Sequence, residues 1–281
     1  MEGHDHKNGI KRSLYHLLLW AISILFFSPI LWMIICSLKT KTEILTIPPK
    51  WLFVPTLNNY IGLFDRFNFT KELMNSIFIS LSAVIIAVVV SFLAAYSFSR
   101  FKPKGTDLIM FLLLSMRMVP AAAVVVPIYL LYAASGFKGT YSGIILFYAM
   151  FSIPFSVWIL KGFIDGVSER FDETALVNGG SRIHIIFRVV MPQVKPGLIA
   201  AFIFNMIFVW NEFLFNFIIG GKMTATVPVG LAQGFSVGGG VQWDFIATLT
   251  ALYSVPLIIF IFFFQKYLLV GMTFGTVRGE V

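Results

Sequence analysis

Long apolar stretches alternate with short polar segments along the whole sequence. A bilayer core about 30 Å thick needs about 20 mainly apolar residues per helix. Six stretches are long enough to cross it: Leu14–Ser37, Ile77–Phe98, Leu108–Ala133, Ser142–Leu160, Leu198–Ile219 and Phe245–Val270. The pattern predicts an all-α, polytopic membrane protein in which residues 1–281 form a single domain with six transmembrane helices. The first stretch is too long for a cleavable signal, so we expect it to be retained.

Two further patterns describe how these helices pack. In the second span, small residues recur every four positions and predict a seam for close helix packing: Ala83, Ala87, Ser91 and Ala95. Prolines interrupt the third and fourth spans: Pro120, Pro127 and Pro154. Such breaks are tolerated where the freed carbonyl groups face protein or a wet cavity, so we expect kinked helices there.

Composition supports a membrane protein, and the charge pattern orients it. Hydrophobic residues make up 58% of the chain and charged residues 12%, whereas a soluble domain carries about 25% charged residues. The net charge of +8 is scattered between apolar stretches, which argues against nucleic acid as a partner. Of the 21 basic residues, 13 fall on the side that holds both termini and seven on the other. This excess predicts cytoplasmic termini in a multi-pass protein of the cell (inner) membrane.

The sequence contains no recognisable set of residues for catalysis. Neither G-x-x-x-x-G-K-[ST] nor H-E-x-x-H occurs, and the four histidines lack metal-ligand spacing. Cys36 is the single cysteine and has no partner within the chain. We therefore expect a transport protein and not an enzyme, with no cofactor or metal bound by this chain. Any energy source must come from elsewhere.

Four polar or charged residues inside the predicted spans are expensive to keep in lipid. Asn205, Glu212 and Asn216 are spaced by seven and four residues, within about 40° of one another on a continuous helix. They are candidates for lining a polar translocation pathway, and the alternative is an interhelical hydrogen-bond clamp near the outer surface. Arg117 is a further pathway candidate, and it could instead pair with Glu212, form another structural ion pair or snorkel.

A polar, charged segment at residues 165–197 lies between the fourth and fifth spans, on the predicted cytoplasmic side. Its first part predicts a helix beginning near Ser168, with four apolar residues on one face: Val167, Phe171, Ala175 and Leu176. Gly179 and Gly180 then predict a tight turn that ends the helix.

Ser181 can cap a second helix after this turn. The 0, +3, +4, +7 spacing predicts an apolar face made of Ile183, Ile186, Phe187 and Val190, with an end at Met191-Pro192. A short surface helix pair with one apolar side lies on the membrane or on a docking partner.

The stretch "ETALVNGGSRIHIIFRVVMPQVKPG" resembles the EAA motif of importer-type ABC permeases. Glu173, Ala175, Gly179 and Pro192 stand at the matching positions of Glu173–Pro192, while Thr174 and Asn178 depart from the pattern. Further stretches, in order, are similar to the shorter permease of carbohydrate importers, the maltose type: "SLKTKTEI", "PPKWLFVPTLNNY", "MVP", "PIYLL", "WNEFLF" and "GMTFGTVRG".

This resemblance implies a type I ABC importer permease fold that works by alternating access. The implied partners are a second homologous permease, two ATPase subunits that hold ATP and Mg²⁺, and an extracytoplasmic solute-binding protein. It also implies that the segment couples to the ATPase through Asp172, Glu173, Ala175, Leu176, Gly179, Gly180, Ser181, Arg182 and His184. Two residues of the C-terminal tail are implied to contact the ATPase: Thr276 and Arg278.

The implied cargo is a sugar or sugar-like solute, and the sequence leaves open an oligosaccharide, a polyol or an anionic sugar derivative. The competing interpretation is a stand-alone secondary transporter or channel for a small polar solute. Six spans are few for a carrier built from inverted repeats, and the sequence shows no convincing internal repeat.

Overall fold

The computed structural model describes residues 3–66, 68–235 and 240–273, and the regular structure in these ranges is entirely helical. The all-α class is therefore confirmed. The described residues form two compact units, a smaller one within residues 1–69 and 231–255 and a larger one within residues 70–230 and 256–281.

The smaller unit contains a long apolar helix and several short ones. Its elements are α1 (Gly3–Ser37), α2 (Lys41–Ile44), α3 (Asn58–Arg66), a 3₁₀ turn (Ala232–Phe235) and the first part of α14 (Trp243–Thr273). The apolar side chains of α1, such as Trp20 and Phe26, are exposed, as expected for a helix surrounded by lipid or partner helices. Just after α1, Lys39 is buried, with its Nζ 5.0 Å from the ring centroids of both Trp32 and Phe53.

The larger unit contains most of the predicted functional residues. Its elements are α4 (Phe69–Arg100), α5 (Thr106–Met116), α6 (Ala121–Ala134), α7 (Tyr141–Asp165), α8 (Arg170–Val177), α9 (Arg182–His184), a π-helix (Ile185–Val190), α10 (Met191–Gln193), α11 (Lys195–Trp210), α12 (Leu214–Ile219), α13 (Val227–Leu231) and the end of α14. The predicted small-residue seam of α4 is fully buried: Ala83, Ala87, Ser91 and Ala95. Ser91 Oγ donates a hydrogen bond to the Ile153 carbonyl of α7 at 3.2 Å, so α4 and α7 pack closely at this seam.

Among the described residues, four helices are long and apolar enough to span a membrane on their own, and up to six spans result if each of two bent pairs counts as one. The third predicted span is such a pair, because α5 and α6 meet at 93°. Pro120 stands directly before α6, where it lacks an N–H group and restricts the backbone of the preceding residue.

The fifth predicted span, Leu198–Ile219, is not a continuous helix. Just before it, the helical stretch of residues 182–193 meets α11 at an angle of 77°. At its other end α11 stops at Trp210, and α12 begins only at Leu214, so Asn211, Glu212 and Phe213 form a break inside the predicted span.

Candidate functional site

The charged segment folds as the predicted helix, glycine turn and second helix. Gly179 has a φ of +80°, in the left-handed region that favours glycine. At position 180 only glycine fits without a clash, because a Cβ there would lie 2.7 Å from the Ala175 carbonyl oxygen. Ser181 Oγ accepts a hydrogen bond from the His184 N–H at 3.2 Å and so caps the second helix.

The first helix of the segment, α8, shows the reverse of an ordinary amphipathic pattern. Its buried residue is the acidic Asp172. The predicted apolar face is not buried, since Phe171 is 52% exposed and Leu176 is 38% exposed, while the neighbouring Val177 is 89% exposed. Apolar side chains of α8 are therefore available to a partner surface.

The second helix differs from prediction because its middle part is a π-helix. Ile185 and Val190 are buried, at the five-residue spacing that suits the wider turn of a π-helix. The predicted face assumed 3.6 residues per turn, and two of its members are exposed: Ile183 at 71% and Phe187 at 42%. The helix ends at Gln193, one residue beyond the predicted Pro192.

Asp172 faces the interior of the larger unit, in contrast to a residue that contacts a partner directly. Its Oδ2 accepts hydrogen bonds from Arg100 Nε at 3.1 Å and from Tyr96 Oη at 3.0 Å. The Arg100 and Asp172 side chains are 6% and 7% exposed, so they form a buried ion pair. Asp172 is therefore an internal anchor of the segment, and its implied role in coupling to the ATPase stays a prediction.

The other coupling residues lie nearer the surface. Exposed members of the set are Glu173, Leu176, Gly179, Ser181, Arg182 and His184, and half-buried members are Ala175 and Gly180.

Just before α8, a hydrogen bond from Lys102 Nζ at 2.8 Å lowers the pKa of the exposed Glu169. Thr276 and Arg278 of the tail lie outside the described residues.

The polar residues of the predicted fifth span do not form one continuous face. Asn205 is fully buried, and its Nδ2 donates to Ser156 Oγ at 2.6 Å and to the Ala201 carbonyl at 2.7 Å. Asn216 is also buried, and its Nδ2 donates to the Thr224 carbonyl at 3.1 Å. The angular argument assumed an unbroken helix, and the break at residues 211–213 removes that assumption.

Glu212 lies in this break and binds the start of α12. Its carboxylate accepts hydrogen bonds from the backbone N–H groups of Phe215 at 2.9 Å and Asn216 at 3.2 Å. The Tyr148 hydroxyl of α7 donates to the same carboxylate at 2.5 Å. This geometry is that of a helix N-terminal cap joined to a neighbouring helix.

Arg117 lies at the break between α5 and α6, and its guanidinium carbon faces three aromatic rings. The distances to the ring centroids are 4.6 Å for Phe208, 5.1 Å for Phe155 and 5.2 Å for Phe151. Among the described residues the ion pairs do not include Arg117 with Glu212. Cation–π contacts therefore replace the salt bridge that was one of the sequence-based alternatives.

Sequence reasoning missed the partners of both carboxylates. Arg100 entered only as one of the basic residues that orient the chain, although it ends α4 inside the larger unit. Tyr96 and Tyr148 are aromatic residues within apolar spans. The hydrophobic pattern of these spans does not indicate that their hydroxyl groups bind a carboxylate. The pairing of Tyr148 with Glu212 spans 64 residues, so it emerges only from the fold.

The described residues thus combine apolar helices that are long enough to span a membrane with a surface helix–turn–helix between two of them, as expected for a subunit of a membrane transport system. A family model described as "Binding-protein-dependent transport system inner membrane component" matches residues 87–273. The chain belongs to this family. It is a permease subunit of an ABC importer and not an enzyme, which confirms the predicted family.

Known proteins resemble the chain over almost its whole length. It is 32% identical over 268 residues to a probable ABC transporter permease protein, y4oR, of Sinorhizobium fredii, covering 95% of this chain and 96% of that one. It is 32% identical to the trehalose/maltose transport system permease protein MalG of Thermococcus litoralis, covering 94% and 95%.

A solved structure shows the same fold. It is the crystal structure of a bacterial ABC transporter involved in the import of the acidic polysaccharide alginate, with a TM-score of 0.78 at 17% identity. The match covers 95% of this chain and 98% of that chain.

Proposed function

We propose that this chain is a membrane permease of an ATP-driven importer for a sugar or sugar-like solute. An extracytoplasmic solute-binding protein delivers the solute, a second homologous permease completes the pathway, and two ATPase subunits hold ATP and Mg²⁺. The relative that transports trehalose and maltose and the alginate transporter of the same fold support a carbohydrate cargo. The excess of basic residues on one side supports cytoplasmic termini and a cytoplasmic helix–turn–helix.

One observation carries the coupling role: α8 and the following turn present apolar side chains outward while an acidic residue is buried. We call the exposed group the docking face, formed by Phe171, Leu176, Val177 and Ile183. An exposed apolar patch beside polar residues is typical of a protein interaction site. ATP binding would close the ATPase pair, and the seated segments would then shift the permeases between inward- and outward-open states.

The pathway role is proposed for the part-exposed residues of the predicted set. Arg117 and Glu212 retain exposed surface, whereas Asn205 and Asn216 are buried by neighbouring helices. A solute moving past this chain can reach the first pair without repacking of the helices. Arg117, held by rings of α7 and α11, is a fixed cation on that surface.

The docking face can be tested by introducing a charge into it. In the reconstituted importer, Val177→Asp is expected to abolish co-purification of the ATPase, because Val177 is the most exposed member of the face. Val54→Asp is the matched control, since Val54 is 80% exposed but lies outside the segment. Undiminished ATPase binding by Val177→Asp would contradict the assignment, and efficient transport by the chain alone would favour the stand-alone transporter.

Coupling can be tested separately from insertion. Gly179→Pro removes the left-handed turn, because proline requires a φ near −65° and Gly179 has +80°. Glu173→Lys reverses an exposed charge beside the docking face. Both variants are expected to insert normally and to lose substrate-stimulated ATP hydrolysis, and normal stimulation in either would overturn its role in coupling.

The cargo class is best identified on the cognate solute-binding protein. A thermal-shift screen with neutral oligosaccharides, polyols and anionic sugar derivatives is expected to give stabilisation by one of these groups, because a ligand that binds the folded state raises its apparent stability. Stabilisation only by solutes unrelated to sugars would contradict the proposed cargo.

A further inference from the structure

We infer that Arg100 is a positioning residue that locks the coupling segment to two transmembrane helices, so that movement imposed on the segment reaches both. This inference rests on the proposed coupling function. It concerns the buried contacts of the segment and not the exposed docking face, and assigns those contacts the transmission of force.

The Arg100 guanidinium binds three successive parts of the chain. Its Nε donates to Asp172 Oδ2 in α8 at 3.1 Å, its Nη2 to the Val167 carbonyl at 2.9 Å, and its Nη1 to the Ile164 carbonyl of α7 at 3.2 Å. Because Arg100 is the last residue of α4, one side chain joins the ends of α4 and α7 to α8. The planar, five-donor guanidinium suits such a junction, and a lysine could not reproduce its geometry.

Neighbouring contacts fix the same junction. Ser99 Oγ donates to Asp165 Oδ1 at 2.6 Å, which ties α4 a second time to the end of α7. The other oxygen of Asp165 pairs with Lys161 at 2.8 Å, one turn earlier on α7. Tyr96, one turn before Arg100 on α4, donates to Asp172. The ends of α4 and α7 therefore form a rigid base for the segment.

Burial makes the Arg100–Asp172 pair hard to break. Removing one partner would leave an uncompensated charge away from water, which is strongly unfavourable. Asp172 Oδ1 is buried and accepts no hydrogen bond from the described residues, so the contacts to Oδ2 compensate this charge. A shift of α8 alone would break these contacts and separate the buried charges, and α8 is therefore expected to move together with α4.

A nearby exposed ion pair provides an internal comparison. Lys102 Nζ lies 2.8 Å from Glu169 Oε1, but these side chains are 68% and 52% exposed. Water and salt screen such a pair, and its two ends can separate at little cost. It links the same two regions as Arg100 does, without providing a rigid connection.

The test uses the complete importer, with both permeases, the ATPase and the binding protein, reconstituted in proteoliposomes. The double variant Arg100→Met with Asp172→Leu removes the lock without leaving a buried charge, and the single variant Arg100→Gln provides an independent measurement. The readouts are the amount of ATPase bound and the number of solute molecules transported per ATP hydrolysed.

We expect both variants to bind the ATPase as the wild type does and to transport about tenfold less solute per ATP, within the usual range of coupling between sites. Arg100→Lys should recover only part of the coupling, because lysine restores the charge without the fork of donors. Lys102→Gln is the matched control and should change the ratio by less than about twofold.

Two results would overturn the inference. Wild-type transport per ATP in the double variant would make the pair a packing feature, and loss of ATPase binding in both variants would make it part of the docking structure. Failure of the proposed function is distinguishable, because the wild-type chain would then bind no ATPase at all.

Discussion

Asp172 and Glu212 are two carboxylates of the larger unit with similar settings and different partners. Each lies at or beside an interruption between helices, and each accepts a hydrogen bond from a tyrosine hydroxyl, Tyr96 at 3.0 Å or Tyr148 at 2.5 Å. The negative charge of Asp172 is balanced by the buried guanidinium of Arg100. That of Glu212 is balanced by backbone N–H groups at the start of α12.

This difference in partners determines whether each carboxylate joins separate helices or stabilises mainly the helix next to it. Asp172 and its cation are 72 residues apart in sequence, so their bond joins separate elements. The backbone partners of Glu212 are three and four residues away, so its bonds stabilise one short helix, and Tyr148 alone extends them to α7. A buried charge paired across the fold holds separate helices together, whereas a charge that caps a helix stabilises a local turn.

The largest effect is expected when Asp172 loses its carboxylate. Asp172→Ala should lower the free energy of unfolding by about 3–5 kcal/mol, because Arg100 would remain buried without a counter-charge. Denaturant unfolding of the purified permease in mild detergent measures this change. Glu173→Ala, next to it but exposed, is the matched control and should change stability by less than about 0.5 kcal/mol. Equal effects of the two substitutions would show that Asp172 is not a buried anchor.

Smaller losses of stability are expected when either tyrosine loses its hydroxyl group. Tyr96→Phe should cost about 1.5–3 kcal/mol, since it removes a hydrogen bond to a buried charge with few other donors. Tyr148→Phe should cost less, about 0.5–1.5 kcal/mol, because Glu212 is part-exposed and keeps its two backbone donors. Denaturant unfolding of the two variants measures both losses and shows which is larger. A larger cost at Tyr148 would mean that Glu212 depends on α7 more than on its own helix.

The local features of the coupling segment were predictable, and its anchoring was not. The turn depends on the backbone of Gly179 and the cap of Ser181, and both have partners within a few residues. The π-helix of residues 185–190 was not predicted, and it brings Ile185 into the buried set together with Val190, five residues apart. No pattern in the sequence indicates a pairing between Arg100 and Asp172.

For the polar residues of the predicted spans, too, the sequence indicated the need for a partner but not which residue the partner is. Their cost in lipid identified Arg117 and Glu212 as residues that need a partner. The partners follow from the breaks in the helices, which bring Arg117 against three phenylalanine rings and turn Glu212 toward the start of α12. Proline predicts the first break, whereas the second, at residues 211–213, has neither proline nor glycine to signal it.

The smallest and most local effect is expected at Glu212. Glu212→Gln keeps an oxygen that can accept a backbone hydrogen bond but removes the charge that favours a helix N-terminus, worth about 0.3–1 kcal/mol. Hydrogen exchange should become faster in residues 214–219, while residues 170–177 of the coupling segment remain protected as in the wild type. Asn211→Gln, at an exposed neighbouring position, is the control and should leave both regions unchanged. Faster exchange that extended to the coupling segment would show that Glu212 also acts across the fold, and the contrast with Asp172 would then be lost.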